Sequence, residues 1–200
     1  MWYVFHDDMK LSKKGEYALR ALIELGLAAE VKRELVQVSE LAEKEHMPVK
    51  FLEQIMQTLK GEGIVKSQRG KFGGYALAKP AREITIGSIV RFIDGPLAPI
   101  GCVSQTAYEK CSCPDEVHCG LRMLMLDVRN AISGILDRYS LADVVEVTLR
   151  KLKRDGLPLP YAADPKKRGA SAAGGKKAVG SAKLSAVEGM LSSLLTDYTI

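Results

Sequence analysis

The chain has 200 residues, 46% of them hydrophobic and 26% charged, which leaves room for one ordinary domain with a real core plus appendages. No run approaches the ~20 apolar residues that a membrane helix needs and the N terminus shows no basic-then-apolar leader, so the expectation is a cytoplasmic protein without a membrane partner. The net charge of +5 is uneven: residues 10–80 hold 13 Lys/Arg against 9 Asp/Glu, 81–150 hold 7 against 9 and 151–200 hold 9 against 4, so any attraction for a polyanion lies at the two ends.

Residues 1–8, MWYVFHDD, read as an N-terminal extension. Tyr17, Ala21, Leu22, Leu25 and Ala29 have helical spacing, and Ser12 is placed to cap a helix over 13–29. Ser12, Lys13 and Lys14 stand where a helix start can meet a phosphate. A charged connection over 30–37 leads to a short helix opened by Ser39 as N-cap. In the helix after it, Phe51, Leu52, Ile55, Met56 and Leu59 mark one buried face and leave Lys50, Glu53, Gln54, Gln57 and Lys60 outside. Such an outer face is usually just solvated. Here it carries the groups that pair with base edges in a major groove, on the second helix of a predicted helix-turn-helix.

The following segment sharpens that reading. Ile64–Ser67 and Tyr75–Leu77 read as strands around the tight basic turn Arg69-Gly70-Lys71-Phe72-Gly73-Gly74, a hairpin whose Ser67, Arg69 and Lys71 can grip phosphate or a narrow minor groove. Pro80 ends it. A helix over 84–94 is expected to pack Ile86, Ile89, Val90 and Ile93 under the hairpin and to stop at Gly95-Pro96. Residues 97–120 show little periodicity and hold all four cysteines, Cys102, Cys111, Cys113 and Cys119. A long helix over 121–139 follows, with Leu121, Leu124, Val128, Ile132, Ile135 and Tyr139 in one stripe, and Ser140 with Asp143 resembles a capping box for a last helix to about residue 152. Beyond Asp155 the composition turns to Pro, Gly, Ala, Ser and Lys, a basic tail expected to be disordered except for a short amphipathic helix around 184–195.

LEQIMQTLKGEGIVKSQRGKFGGYAL, with MKLSKKGEYALRAL upstream, resembles the Rrf2 family of bacterial transcriptional regulators over residues 9–147. The expected fold class is mainly α with a small β wing. Its parts are a winged helix-turn-helix domain over 9–96, a cysteine loop over 97–120, dimerisation helices over 121–154 and the tail over 155–200. The resemblance implies a homodimer that pairs through the long helix and binds double-stranded DNA; two-fold operators ask for the same.

Cysteines gathered so closely in a reducing compartment point to metal or redox chemistry more than to structural disulfides, and thiolates suit iron–sulfur clusters or zinc. The cluster-sensing members of the family carry three cysteines beyond the wing, and Cys102, Cys113 and Cys119 match them best. Cys111 is additional, so sets in which it replaces Cys113 or Cys102 stay open. For a fourth ligand the resemblance offers Glu16, where some relatives place a carboxylate; His118, beside Cys119, is another candidate. A structural zinc and a metal-free thiol-disulfide switch remain alternatives, although Cys111-x-Cys113 is tighter than zinc-knuckle spacing. No enzyme and no small-molecule substrate are expected, because His6, His46 and His118 are scattered and no phosphate-binding glycine loop is present. A winged domain that binds proteins instead of DNA would put apolar groups where 50–60 and the Arg69/Lys71 turn are polar.

Overall fold

Helix α1 (Lys13–Glu30) is the element that meets most of the others, among them three later helices and the second strand of the hairpin. Its Ala18, Ala21, Leu22, Leu25 and Ala28 form one buried stripe, and Ser12, in extended backbone, caps it by accepting the Gly15 N–H at 2.9 Å. The computed structural model describes residues 11–161; the extension over 1–8 and the helix expected around 184–195 lie outside the described residues. Among the described residues no helix is long and apolar enough to cross a membrane.

Helices α2 (Val38–Lys44) and α3 (Val49–Gly61) follow, joined by a turn through Glu45–Pro48, and Leu41, Leu52, Ile55, Met56 and Leu59 sink into the core. The capping residue of α2 is Gln37, not Ser39 as expected, and it makes no side-chain cap. Val36 is held extended by an isolated bridge to Tyr75, with N–H···O bonds of 3.0 and 2.8 Å, so the helical turn starts directly after Gln37 and Ser39 falls inside it.

Strands β1 (Val65–Gln68) and β2 (Gly74–Leu77) pair antiparallel with Val65 opposite Leu77 and Gln68 opposite Gly74, reaching one residue nearer the turn than expected. Gly70 sits at φ +115, a region open to glycine. Gly74 is fixed by contact instead: a Cβ there would stand 2.5 Å from the Val36 carbonyl oxygen, inside the bridge that ties hairpin to core. Gly74→Ala should therefore lower stability by ~1–3 kcal/mol in urea unfolding, the cost of forcing a methyl into a packed site. An unchanged midpoint would show that the bridge gives way freely.

A single 3-10 turn at Ala81–Glu83 leads to α4 (Ile86–Asp94), capped by Thr85. The sequence placed this helix under the hairpin; it packs mainly on α1 and on α5 (Gly120–Arg138), burying Ile89 and Val90 while Ile86 and Ile93 are half-buried. Two hydrogen bonds, Ile86 N–H to the Tyr139 carbonyl (2.9 Å) and Leu141 N–H to the Ile84 carbonyl (2.7 Å), tie the start of α4 to the residues just past the end of α5. Helix α6 (Leu141–Arg154) opens with the expected capping box of Ser140 and Asp143 and buries Leu141 and Val145, packing against α1.

The tail does not begin at residue 155 as a free segment. Leu157 N–H bonds to the Leu152 carbonyl at 2.9 Å, and Tyr161 packs on the core with the Arg33 guanidinium 5.3 Å and the Lys44 ammonium 4.5 Å from its ring centre. A lone tyrosine among Pro and Leu has no periodicity to announce such a contact.

Candidate nucleic-acid interface and cysteine pocket

The face of α3 opposite its buried stripe carries Lys50, Glu53, Gln54, Gln57 and Lys60, and all five are exposed. Gln57 and Lys60 line a groove of about 770 Å³ between α3 and the hairpin, whose other wall holds Ser67, Gln68, Arg69 and Lys71. Lys50, Glu53 and Gln54 lie on the same helix but outside that lining. Sequence reasoning missed the side-chain amides of Gln37 and Gln68. Gln68 extends β1 one residue past its expected end; Gln37 carries no sequence signal, yet it lines the groove and its amide donates to the Lys71 carbonyl at 3.0 Å.

Ser12 and Lys13 are engaged internally. The Ser12 N–H donates to Asp94 Oδ2 at 3.0 Å and its hydroxyl donates to Asp94 Oδ1, so a carboxylate of α4 already meets the positive end of the α1 dipole. Lys13 pairs with Glu16 at 2.7 Å. Side chains of α1 and its C-terminal connection hold α2 in place: Arg20 reaches the Glu45 carboxylate (2.8 Å) and carbonyl (2.7 Å), Arg33 grips Glu40 with two bonds of 2.8 and 2.6 Å, and Lys44 pairs with buried Glu24. Burial pushes the Glu24 carboxyl above its ordinary range, against the pull of Lys44.

All four cysteines line one cavity of about 290 Å³, between a 3-10 turn at Gly101–Val103 and the start of α5. Cys102 is buried, Cys113 Sγ lies 3.9 Å from Cys119 Sγ, and the Cys113 N–H donates to Cys111 Sγ at 3.1 Å. The thiols are unlike one another. Contacts with Cys111, then Cys119, push Cys113 up to about 12, and burial raises Cys102, whereas Cys119 is lowered, chiefly by the Arg122 N–H in the first turn of α5. Soft donors sharing one concavity fit a thiophilic metal by chemistry. Among the described residues, though, no three His, Cys, Asp or Glu side chains stand arranged to hold an ion, so this loop would have to draw inward to do so. The other two candidate ligands are elsewhere. Glu16 lies outside the cavity lining, between Lys13 and Arg20, and His118 is 82% exposed with Nδ1 2.6 Å from Asp115.

The pocket is wired to α5. Arg129 donates to the Val103 carbonyl at 2.6 Å, Arg122 donates to the Cys102 carbonyl at 3.4 Å and pairs with Glu116 at 3.2 Å, and Asp137 accepts from Arg91 of α4 at 2.7 Å. These contacts use one side of α5. None of its residues is buried, and Leu121, Met123, Leu124 and Ile135 remain exposed.

A family model described as an iron-dependent transcriptional regulator, Rrf2, matches residues 11–147. The chain belongs to the Rrf2 family. Like other Rrf2 proteins it is a transcriptional regulator, not an enzyme, and its partner is DNA. An Rrf2-like HTH-type regulator of Rhodobacter capsulatus is 39% identical over 139 residues, which span 68% of this chain and 91% of that protein. The solved structure of CymR, the global cysteine regulator of B. subtilis, superposes with a TM-score of 0.58 at 30% identity, covering 69% of this chain and 97% of that one. The IscR of T. potens gives 0.54 at 27% identity, covering 76% and 94%. These neighbours are winged-helix regulators, so the mostly helical Rrf2 fold with its two-stranded wing is as expected from the sequence.

Proposed function

We propose that this Rrf2-family regulator binds a two-fold operator as a homodimer paired through α5, and that an iron–sulfur cluster held by the pocket cysteines switches that binding. The observation that carries the reading is the gathering of all four thiols in one cavity at the foot of α5. Cys102, Cys113 and Cys119 are the proposed ligands, Cys111 stands beside them, and a fourth ligand is left to the partner subunit or to solvent. When bound, such a cluster supplies a cross-link that forms or is lost with iron and oxidant supply. The chain's own part is mechanical: Arg122 and Arg129 tie the carbonyls of Cys102 and Val103 to α5, so reordering the loop pulls on the proposed dimer helix. Anaerobic purification followed by a visible spectrum and iron and sulfide assays tests this. Zinc without sulfide, or no metal in any state, sinks it.

A second reading has its own support. Cys113 and Cys119 are close enough that a small movement would bring them to the ~2.05 Å of a disulfide, so a metal-free thiol-disulfide switch is open to this chain. Peptide mass mapping of the oxidised apo protein separates the two.

At the DNA, Gln54 and Gln57 are proposed to read base edges while Lys50, Arg69 and Lys71 hold phosphates, with Glu53 and Ser67 between them. Gln54→Ala should lose about 1 kcal/mol of discrimination at one base step, the low end for a bidentate contact. Arg69→Ala should weaken every duplex alike and reduce the salt slope by about 1. A uniform loss in the glutamine variant would remove it from base readout.

A further inference from the structure

At the tip of the wing, between Arg69 and Gly73 in a cationic turn, stands a phenyl ring that is 84% exposed. Its position is set by a braced turn: the Gly73 N–H donates to the Gly70 carbonyl at 2.9 Å, and Gln37 reaches across from the helix-turn-helix to the carbonyl of Lys71, the residue just before it. Arg69, Lys71 and Gly73 line the groove beside α3, and Phe72 does not, so the ring stands apart from that groove. The ring is not among the side chains packed on the core. Its only ring contact among the described residues is with the neighbouring Lys71 ammonium, 5.8 Å from its centre, near the outer limit for a cation and a ring.

We propose that Phe72 is an apolar wedge that enters the minor groove where the wing meets DNA and unstacks one base step. The inference rests on the DNA-binding reading of the wing and adds a shape-dependent part to operator choice. Flanking cations are drawn to the negative potential of a narrow minor groove and settle on its phosphates. A phenyl ring offers neither charge nor hydrogen bond there. What it can do is slide between bases, as inserted Phe, Leu or Ile side chains do at minor-groove kinks, and the steps that yield most readily are pyrimidine–purine. The same cations count against a protein groove as the occupant, since they would have to be stripped of water beside the apolar contact.

The test uses the full chain and a duplex that it selects from a random library, with 2-aminopurine placed in turn at successive steps. Wild type should raise the fluorescence at one step. Phe72→Ala should abolish that rise, weaken binding roughly fivefold and leave the salt slope unchanged, while Phe72→Trp retains the rise. Lys71→Ala should do the reverse, lowering the slope by about 1 and keeping the rise. Full affinity in Phe72→Ala, or no unstacking by wild type at any step, overturns the proposal, including the case in which Phe72 serves a protein partner. Failure of wild type to select any duplex would instead overturn the DNA reading on which it rests.

Discussion

Leu124→Glu combined with Ile135→Glu should give a folded monomer that has lost tight operator binding. Both residues are 54% exposed on the side of α5 away from the Arg91–Asp137 pair, so charges there leave that pair in place. In a two-fold interface each residue occurs twice, and two substitutions per chain put four carboxylates into the proposed apolar seam. A fully buried Leu or Ile contributes about 1.5–3 kcal/mol, and an unpaired buried carboxylate costs more than that returns. Operator binding falls as a consequence. A monomer engages one half-site without the second being held nearby, and the loss of such linkage is typically worth 10²–10⁴ in apparent affinity. Sedimentation equilibrium, an operator titration and a circular dichroism spectrum decide it. A double variant that sediments as a dimer removes α5 from the interface.

Helix α3 and the hairpin were legible in the sequence because each rests on a short-range rule. Leu52, Ile55, Met56 and Leu59 repeat at the helical period and define the exposed face by exclusion; Gly70, Gly73 and Gly74 close a turn between strand-forming residues. Pattern says that a residue is buried but not against what, and that is where expectation and structure part. Ile89 and Val90 were assigned to the core correctly and to the wrong neighbour, since the hydrogen bonds that swing α4 onto α5 come from Tyr139 and Leu141, some fifty residues away. The cap of α2 was misread for a similar reason: Val36 answers to Tyr75 of the wing, and no local rule contains that partner. For the pocket, spacing grouped the cysteines and all four line one cavity, whereas Glu16 on α1 and His118 beside Asp115 lie outside its lining.

The same long-range contacts supply a route by which the pocket can bias the proposed DNA-binding face. From the carbonyls of Cys102 and Val103 the chain of contacts runs through Arg122 and Arg129 into α5, through Asp137 and Arg91 into α4, and through Asp94 and Ser12 to the start of α1, on which the helix-turn-helix is mounted. Contact alone does not make a switch; the proposed cluster must be held better in one arrangement of the proposed dimer than in the other. In the proposed dimer, two recognition helices that must meet major grooves about 34 Å apart lose register on a small rotation at α5. Holo and apo protein should accordingly differ in affinity for one operator by at least tenfold, about 1.4 kcal/mol. Cys102→Ser, Cys113→Ser and Cys119→Ser should each fix the apo value, and Cys111→Ser should be milder. An anaerobic titration of one operator with holo protein, apo protein and the four variants at fixed salt reads this directly. Equal affinities for holo and apo would reduce the pocket to a structural feature, and a Cys111 variant that alone lost the cluster would move the ligand set to Cys111.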